Sequence, residues 1–71
     1  MARKIRALKA DLRRAGCRET PGKGSHTKWF HPALPRPVVL AGHDGDDAQA
    51  YQEAAVRQAL ARMAAAQRRS P

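Results

Sequence analysis

Large apolar side chains at Ile5, Leu8 and Leu12, continued by Ala15, recur at the three- and four-residue spacing of one helix face, while Arg6, Lys9, Arg13 and Arg14 fall elsewhere. This pattern predicts an amphipathic helix between Arg3 and Ala15, stopped by Gly16. The chain then changes period. Cys17 to Thr20 is short enough for a strand, Pro21-Gly22-Lys23-Gly24 is a turn, and Ser25 to His31 carries the β-branched and aromatic residues that strands favour. These two strands form a hairpin. Beyond the stiff segment Pro32-Ala33-Leu34-Pro35-Arg36-Pro37, the run Val38-Val39-Leu40-Ala41 predicts a third strand, ended by Gly42-His43-Asp44-Gly45-Asp46-Asp47. Asp46 or Asp47 suits the N-cap of a final helix from about Ala48 to near Ala66, with Tyr51, Ala55, Val56, Ala59, Leu60 and Met63 on its buried face. The expected fold class is α+β: an αβββα order, with a three-stranded antiparallel sheet and both helices on one face. Residues 1–66 form one domain, and 67–71, which lack apolar anchors, form a frayed tail.

Alternation along the second strand puts His26, Lys28 and Phe30 on one face and Ser25, Thr27, Trp29 and His31 on the other. Trp29 is the natural core anchor, so His26 and Lys28 face the open side of the sheet. A symmetric connection across the proline segment pairs His31 with Val38, Trp29 with Leu40 and His26 with His43. Two imidazoles would then face the same place.

Charge narrows the partner. Fourteen Lys and Arg stand against six Asp and Glu, for a net charge of +8. Residues 1–36 hold ten of the bases and two of the acids, and the remainder holds four of each, so the excess lies in the first half. Such asymmetry points to a polyanion, most often nucleic acid and less often a membrane surface or an acidic protein partner. With 71 residues, the chain buries only about 60% of the surface its unfolded form exposes, which excludes a second domain or a large substrate cavity. One cysteine, Cys17, precludes an internal disulfide or a thiolate zinc site and fits a reducing cytoplasm. No continuous apolar segment suggests secretion or a membrane. The Asp44-Gly45-Asp46-Asp47 loop lacks the remaining ligands of a calcium loop, and Gly22-Lys23-Gly24-Ser25 lacks the full nucleotide-binding pattern, so neither a metal nor another cofactor is expected.

The chemistry concentrates at Gly24-Ser25-His26. Histidine, with an unperturbed pKa of about 6.5, both takes and gives protons near neutrality, and Lys23 and Lys28 flank it with positive charge. Glycine-freed amides at Gly24 and Ser25, with Lys23, suit contact with a phosphate. Arg6, Lys9 and Arg13 of the first helix add cations for the same polyanion. The second group in an acid-base pair is either His43 or, as a charge stabiliser, Lys28. Phe30 is either a half-buried hydrophobe or a surface for base stacking. His31, before Pro32, and Cys17 are structural.

The order of elements, the block Gly24-Ser25-His26 followed by Trp29 and then His31-Pro32, the valine-rich strand ending near His43, and the closing segment Val56-Arg57-Gln58-Ala59-Leu60 together resemble the HicA family over roughly residues 3–64. The resemblance implies a fold similar to the double-stranded-RNA-binding domain and a small toxin of a bacterial toxin-antitoxin pair. It also implies endoribonuclease activity on messenger RNA, with His26 as the catalytic histidine, and silencing by a HicB-like antitoxin; with no cation site expected in the Asp44–Asp47 loop, that cleavage would be metal-independent. A monomer or weak homodimer is expected. The alternative on the same residues is a non-catalytic RNA-binding module of that fold.

Overall fold

The computed structural model describes residues 2–69. Helix α1 (Ile5–Arg14) is followed by strands β1 (Arg18–Pro21), β2 (Thr27–Phe30) and β3 (Val38–Leu40) and by helix α2 (Ala50–Arg69). The strands form one antiparallel sheet in the order β1-β2-β3. This is the expected αβββα arrangement. Helix α2 begins two residues later than the sequence pattern suggests and continues through Arg69, past the expected end near Ala66. Ser70 and Pro71, the end of the expected tail, lie outside the described residues.

Ile5, Leu8 and Leu12 are buried along α1, as their spacing predicts. Gly16, at φ +95°, ends this helix in the left-handed region. Its N–H donates to the Arg13 carbonyl at 3.1 Å and the Cys17 N–H donates to Leu12 at 3.0 Å, the paired bonds of a Schellman motif. At the other end of α1 no side chain caps the helix. The Asp44–Asp47 loop does so instead through its backbone: Ile5 N–H donates to the Asp46 carbonyl at 2.9 Å and Arg6 N–H to Asp44 at 3.1 Å.

That docking corrects the role expected of Asp46 and Asp47. Asp46 closes its own turn by accepting from His43 N–H at 2.9 Å, and Asp47 pairs with Lys4 at 2.6 Å. The N-terminus of α2 is capped by Gln52, whose Oε1 accepts from Gln49 N–H at 2.9 Å, the reaching-back half of a capping box.

The core lies between the helices and one face of the sheet. Trp29, Val38 and Leu40 point into it, with Ile5, Leu8, Leu12 and Cys17 on one side and Ala48, Val56, Ala59 and Met63 on the other. Trp29 is fully buried and its indole N–H donates to Thr27 Oγ1 at 3.0 Å, so the ring enters the core with its polar atom satisfied. Truncating a buried tryptophan typically costs about 3–5 kcal/mol, as much as the whole stability, roughly 3–5 kcal/mol, of a chain this small. The buried seam of α2 is Gln52, Val56, Ala59 and Met63, with Ala48 buried just ahead of the helix. Tyr51, expected on that face, is 62% exposed and Ala55 is exposed too. Gln52 holds the seam position because its amide also donates to the Ala41 carbonyl at 2.9 Å, tying α2 to the end of β3.

Candidate active site at the β1–β2 turn

The ladder between β1 and β2 runs from Arg18 opposite Phe30 to Pro21 opposite Thr27. Gly22 N–H extends it by donating to the His26 carbonyl at 2.9 Å, and His26 N–H closes the turn on the Lys23 carbonyl at 3.0 Å. Gly24, the first central residue, has φ +59°, and Ser25 after it stays at negative φ, the pattern of a II′ hairpin turn. Gly22 matters for a different reason. A Cβ there would stand 3.2 Å from both the Cβ and the carbonyl oxygen of His26, so any side chain would push His26 away by a few tenths of an ångström beneath the imidazole.

His26 is exposed, on the turn immediately before β2. Its Nδ1 lies 3.0 Å from the Lys23 carbonyl oxygen. A carbonyl oxygen can only accept, so Nδ1 carries the proton and Nε2 of the neutral ring is left as the lone-pair nitrogen. The backbone of the turn thus sets the tautomer. Ser25 Oγ accepts from Gly42 N–H at 3.2 Å, which fastens the same turn to the chain leaving β3. Since Ala41, the residue before Gly42, is held by Gln52, the position of His26 traces back through Ser25 and Gly42 to helix α2.

An open cleft of about 600 Å³ lies beside the imidazole, lined by Gly22, Lys23, His26, Lys28 and Val39. It contains no carboxylate. Lys28 stands on β2 between buried Trp29 and half-buried Thr27, and its exposure confirms the expected alternation. Neither Lys23 nor Lys28 forms an ion pair with a described residue.

His43 is not brought opposite His26. Thr27, not Trp29, faces Leu40, and Trp29 faces Val38, a register two residues from the expected one. A shift of two keeps every side chain on its face, but β3 ends at Leu40 and His43 lies in the loop docked on α1, its N–H bonded to Asp46.

The cations of α1 also part from the expected site, because they belong to the helix side of the sheet and four of the acids are there to meet them. Lys9 pairs with Asp44 at 2.7 Å and its side chain is only 15% exposed. Arg13 reaches Glu19 at 3.3 Å and lies 5.5 Å above the Trp29 ring. Arg3 and Arg14 share Asp11 at 2.6 and 2.8 Å. Of the three residues expected to bind RNA from this helix, Arg6 alone is exposed without an ion pair among the described residues. The Arg3 guanidinium, by hydrogen bond and by charge, holds the Asp11 carboxyl below its ordinary range, and the Lys9 ammonium does the same for Asp44.

The remaining candidates take structural places. His31 Nδ1 accepts from Ala33 N–H at 3.0 Å and stabilises the start of the proline segment. Cys17 is buried, its Sγ 3.6 Å from Met63 Sδ, and burial pushes its thiol pKa up. No group of three or more His, Cys, Asp or Glu among the described residues is arranged to hold a metal ion, and none of the helices is long and apolar enough to cross a membrane.

Gln52 is the positioning residue that sequence reasoning passed over. Its signal was its place in line with Val56, Ala59 and Met63 on one face of α2, at spacings of four, three and four. Comparison with curated proteins and with solved structures gives no match. A family profile described as the HicA toxin of bacterial toxin-antitoxin systems matches residues 5–62, a span that includes α1, the whole sheet, the His26 turn and most of α2. The chain belongs to the HicA family of toxins.

Proposed function

We propose that this toxin is a metal-independent endoribonuclease that cuts messenger RNA in the cytoplasm, with His26 as the group that moves the proton. The observation that carries this reading is the bond from Nδ1–H to the Lys23 carbonyl, which leaves Nε2 as a base beside a cleft lined by cations and free of carboxylates. In the reaction Nε2 takes the proton of a ribose 2′-hydroxyl, the 2′-oxygen forms a bond to phosphorus, and the bond from phosphorus to the 5′-oxygen breaks. The leaving oxygen takes its proton from the imidazolium or from water, so the products are a 2′,3′-cyclic phosphate and a 5′-hydroxyl. Lys28 stabilises the negative charge that builds on the phosphorane, and Lys23 with the amides of the Gly24–Ser25 turn receives the phosphate. A positioned proton-transfer group contributes about 100- to 10,000-fold in rate. His43 has no part in the step. A HicB-like antitoxin silences the toxin by covering this basic face, for which acidic groups are the natural complement.

The test is incubation of the protein and its His26→Ala variant with a long unstructured RNA in EDTA, followed by gel analysis of product ends, alongside a binding measurement. Cleavage by the wild type alone, leaving cyclic phosphate, with binding retained in the variant, is the expected result. Equal cleavage by the variant overturns the role of His26. Binding without cleavage by either protein identifies a non-catalytic RNA-binding module.

A further inference from the structure

We propose that the cleft between Phe30 and Arg18 on the open face of the sheet is a nucleobase subsite, where an unpaired base of a single-stranded RNA stacks on the Phe30 ring beneath the Arg18 guanidinium. The proposal rests on the reading of this face as the one that meets RNA. Phe30 is 37% exposed although it lies in the middle strand of the sheet. Its cross-strand partner is Arg18. Around them lies a cleft of about 330 Å³, closed by Gly16, His31 and Pro32. Two of its walls are already rigid: the His31 ring is held by Ala33 N–H and stands 3.8 Å from where a Cβ on Gly16 would be, and Pro32 has a fixed φ. A site that needs little ordering loses little affinity to it.

The charge distribution assigns the ligand. By register, Arg18 and Thr20 of β1, Lys28 and Phe30 of β2 and Val39 of β3 share the open face, continued by the His26 turn. Three cations, Lys23, Lys28 and Arg18, therefore mark a path from the scissile site to the aromatic cleft with no acid along it. Glu19, the one acid in the strands, has opposite parity and pairs with Arg13. On α1 the reverse holds, because Asp11, Asp44, Asp47 and Glu19 pair with every basic residue of the helix and its entry except Arg6. The polyanion thus runs over the sheet and not along α1. Aromatic stacking requires a base splayed out of pairing, so the ligand is single-stranded. Four residues of strand at about 3.3 Å each put Phe30 roughly 13 Å from His26, several times the ~3.4 Å rise of a stacked nucleotide. The subsite therefore reads a base some way along the strand from the attacking 2′-hydroxyl, and confers a sequence or spacing preference on cleavage.

The experiment measures binding of a fully 2′-O-methylated single-stranded oligonucleotide, which cannot be cut, with one abasic position moved along it. The proteins are the wild type, Phe30→Leu, Arg18→Gln and Lys9→Gln, each checked for an unaltered circular dichroism spectrum. Phe30→Leu should bind roughly 5- to 150-fold more weakly, the range of one lost base stack. One abasic position should cost the wild type as much, and cost Phe30→Leu nothing further. Arg18→Gln should lower the salt slope by about 0.7, whereas Lys9→Gln should leave affinity nearly unchanged. A flat abasic scan, wild-type affinity in Phe30→Leu, or a preference for duplex with the loss carried by Lys9→Gln overturns the proposal. Because the probe cannot be cleaved, these outcomes are independent of whether His26 catalyses: cleavage with a flat scan sinks the subsite alone, and a positioned abasic effect without cleavage sinks the nuclease alone.

Discussion

Gln52 is the only polar residue buried among the described ones, at 3% exposure, and it joins the start of α2 to the end of β3. Gln52→Met keeps length and helix propensity but removes both hydrogen bonds. Gln49 is exposed, so its N–H recovers a water partner; Ala41 is half-buried, and its carbonyl is left without a donor. An unmet buried acceptor costs about 1–3 kcal/mol, and the lost cap adds ~0.5–1 kcal/mol. Burying an apolar chain in place of the amide returns about 1 kcal/mol. The net loss of roughly 0.5–3 kcal/mol is a sizeable part of the roughly 3–5 kcal/mol available to a domain this small. At about 4–8 °C per kcal/mol, thermal unfolding followed by far-UV circular dichroism should shift down by roughly 2–24 °C.

Gln52→Glu separates the two bonds. An ionised carboxylate still accepts from Gln49 N–H, but it sets an oxygen without a proton against the Ala41 carbonyl, so burial and this contact raise the pKa of the introduced group. A raised pKa contributes stability below the unfolded value, about 4.3, that is lost as pH rises through the folded value. This variant should therefore be weakest at neutral pH and recover towards pH 5. An unchanged melting temperature in Gln52→Met, or a Gln52→Glu variant as stable at neutral pH as the wild type, would refute the reasoning.

Gly22→Ala should lower cleavage roughly 3- to 10-fold with little loss of stability, since the added Cβ displaces His26 by a fraction of the 1 Å that costs about 100-fold. Gly24→Ala, with open space but φ +59°, should instead cost about 1–2 kcal/mol in a denaturant melt; equal effects on both readouts would contradict the geometry. Asp11 and Asp44 have folded pKa values below the ordinary 3.8, so their stabilisation is complete above that value and is lost as pH falls through the folded values. The midpoint of thermal unfolding should therefore drop below about pH 4, and Asp11→Asn should flatten that fall. The Cys17 thiol, buried against Met63 with its pKa pushed up, should resist a thiol-specific reagent until denaturant is added; rapid labelling of the folded protein would show that the core opens at this end.

Helix α1 was legible because Ile5, Leu8 and Leu12 repeat at helical spacing and Gly16 ends the run. The sheet was legible as three strands, and Trp29 alone decided which face His26 and Lys28 share. The register was not, because it depends on how residues 31–37 turn. His31 closes that turn with its carbonyl and with Nδ1, which ends β2 at Phe30 and moves the pairing by two residues. Parity survived the error, and the partnership of His26 with His43 did not. Tyr51 was misplaced because an apolar scale assigns the seam of α2 to hydrophobes, whereas two hydrogen bonds draw Gln52 into it.

The sequence by itself determined the order of elements, the face on which His26 stands and the excess of positive charge, because these follow from spacing along one strand or helix and from composition. Tertiary structure decided which charges remain free. The Asp44–Asp47 loop is a neighbour of α2 in the chain, yet it docks on the N-terminus of α1 and neutralises Lys4 and Lys9 there. Charge pairing falls off with distance in space, not along the chain, so only the folded arrangement could leave Lys23, Lys28 and Arg18 as the unpaired cations around His26 and the open face of the sheet.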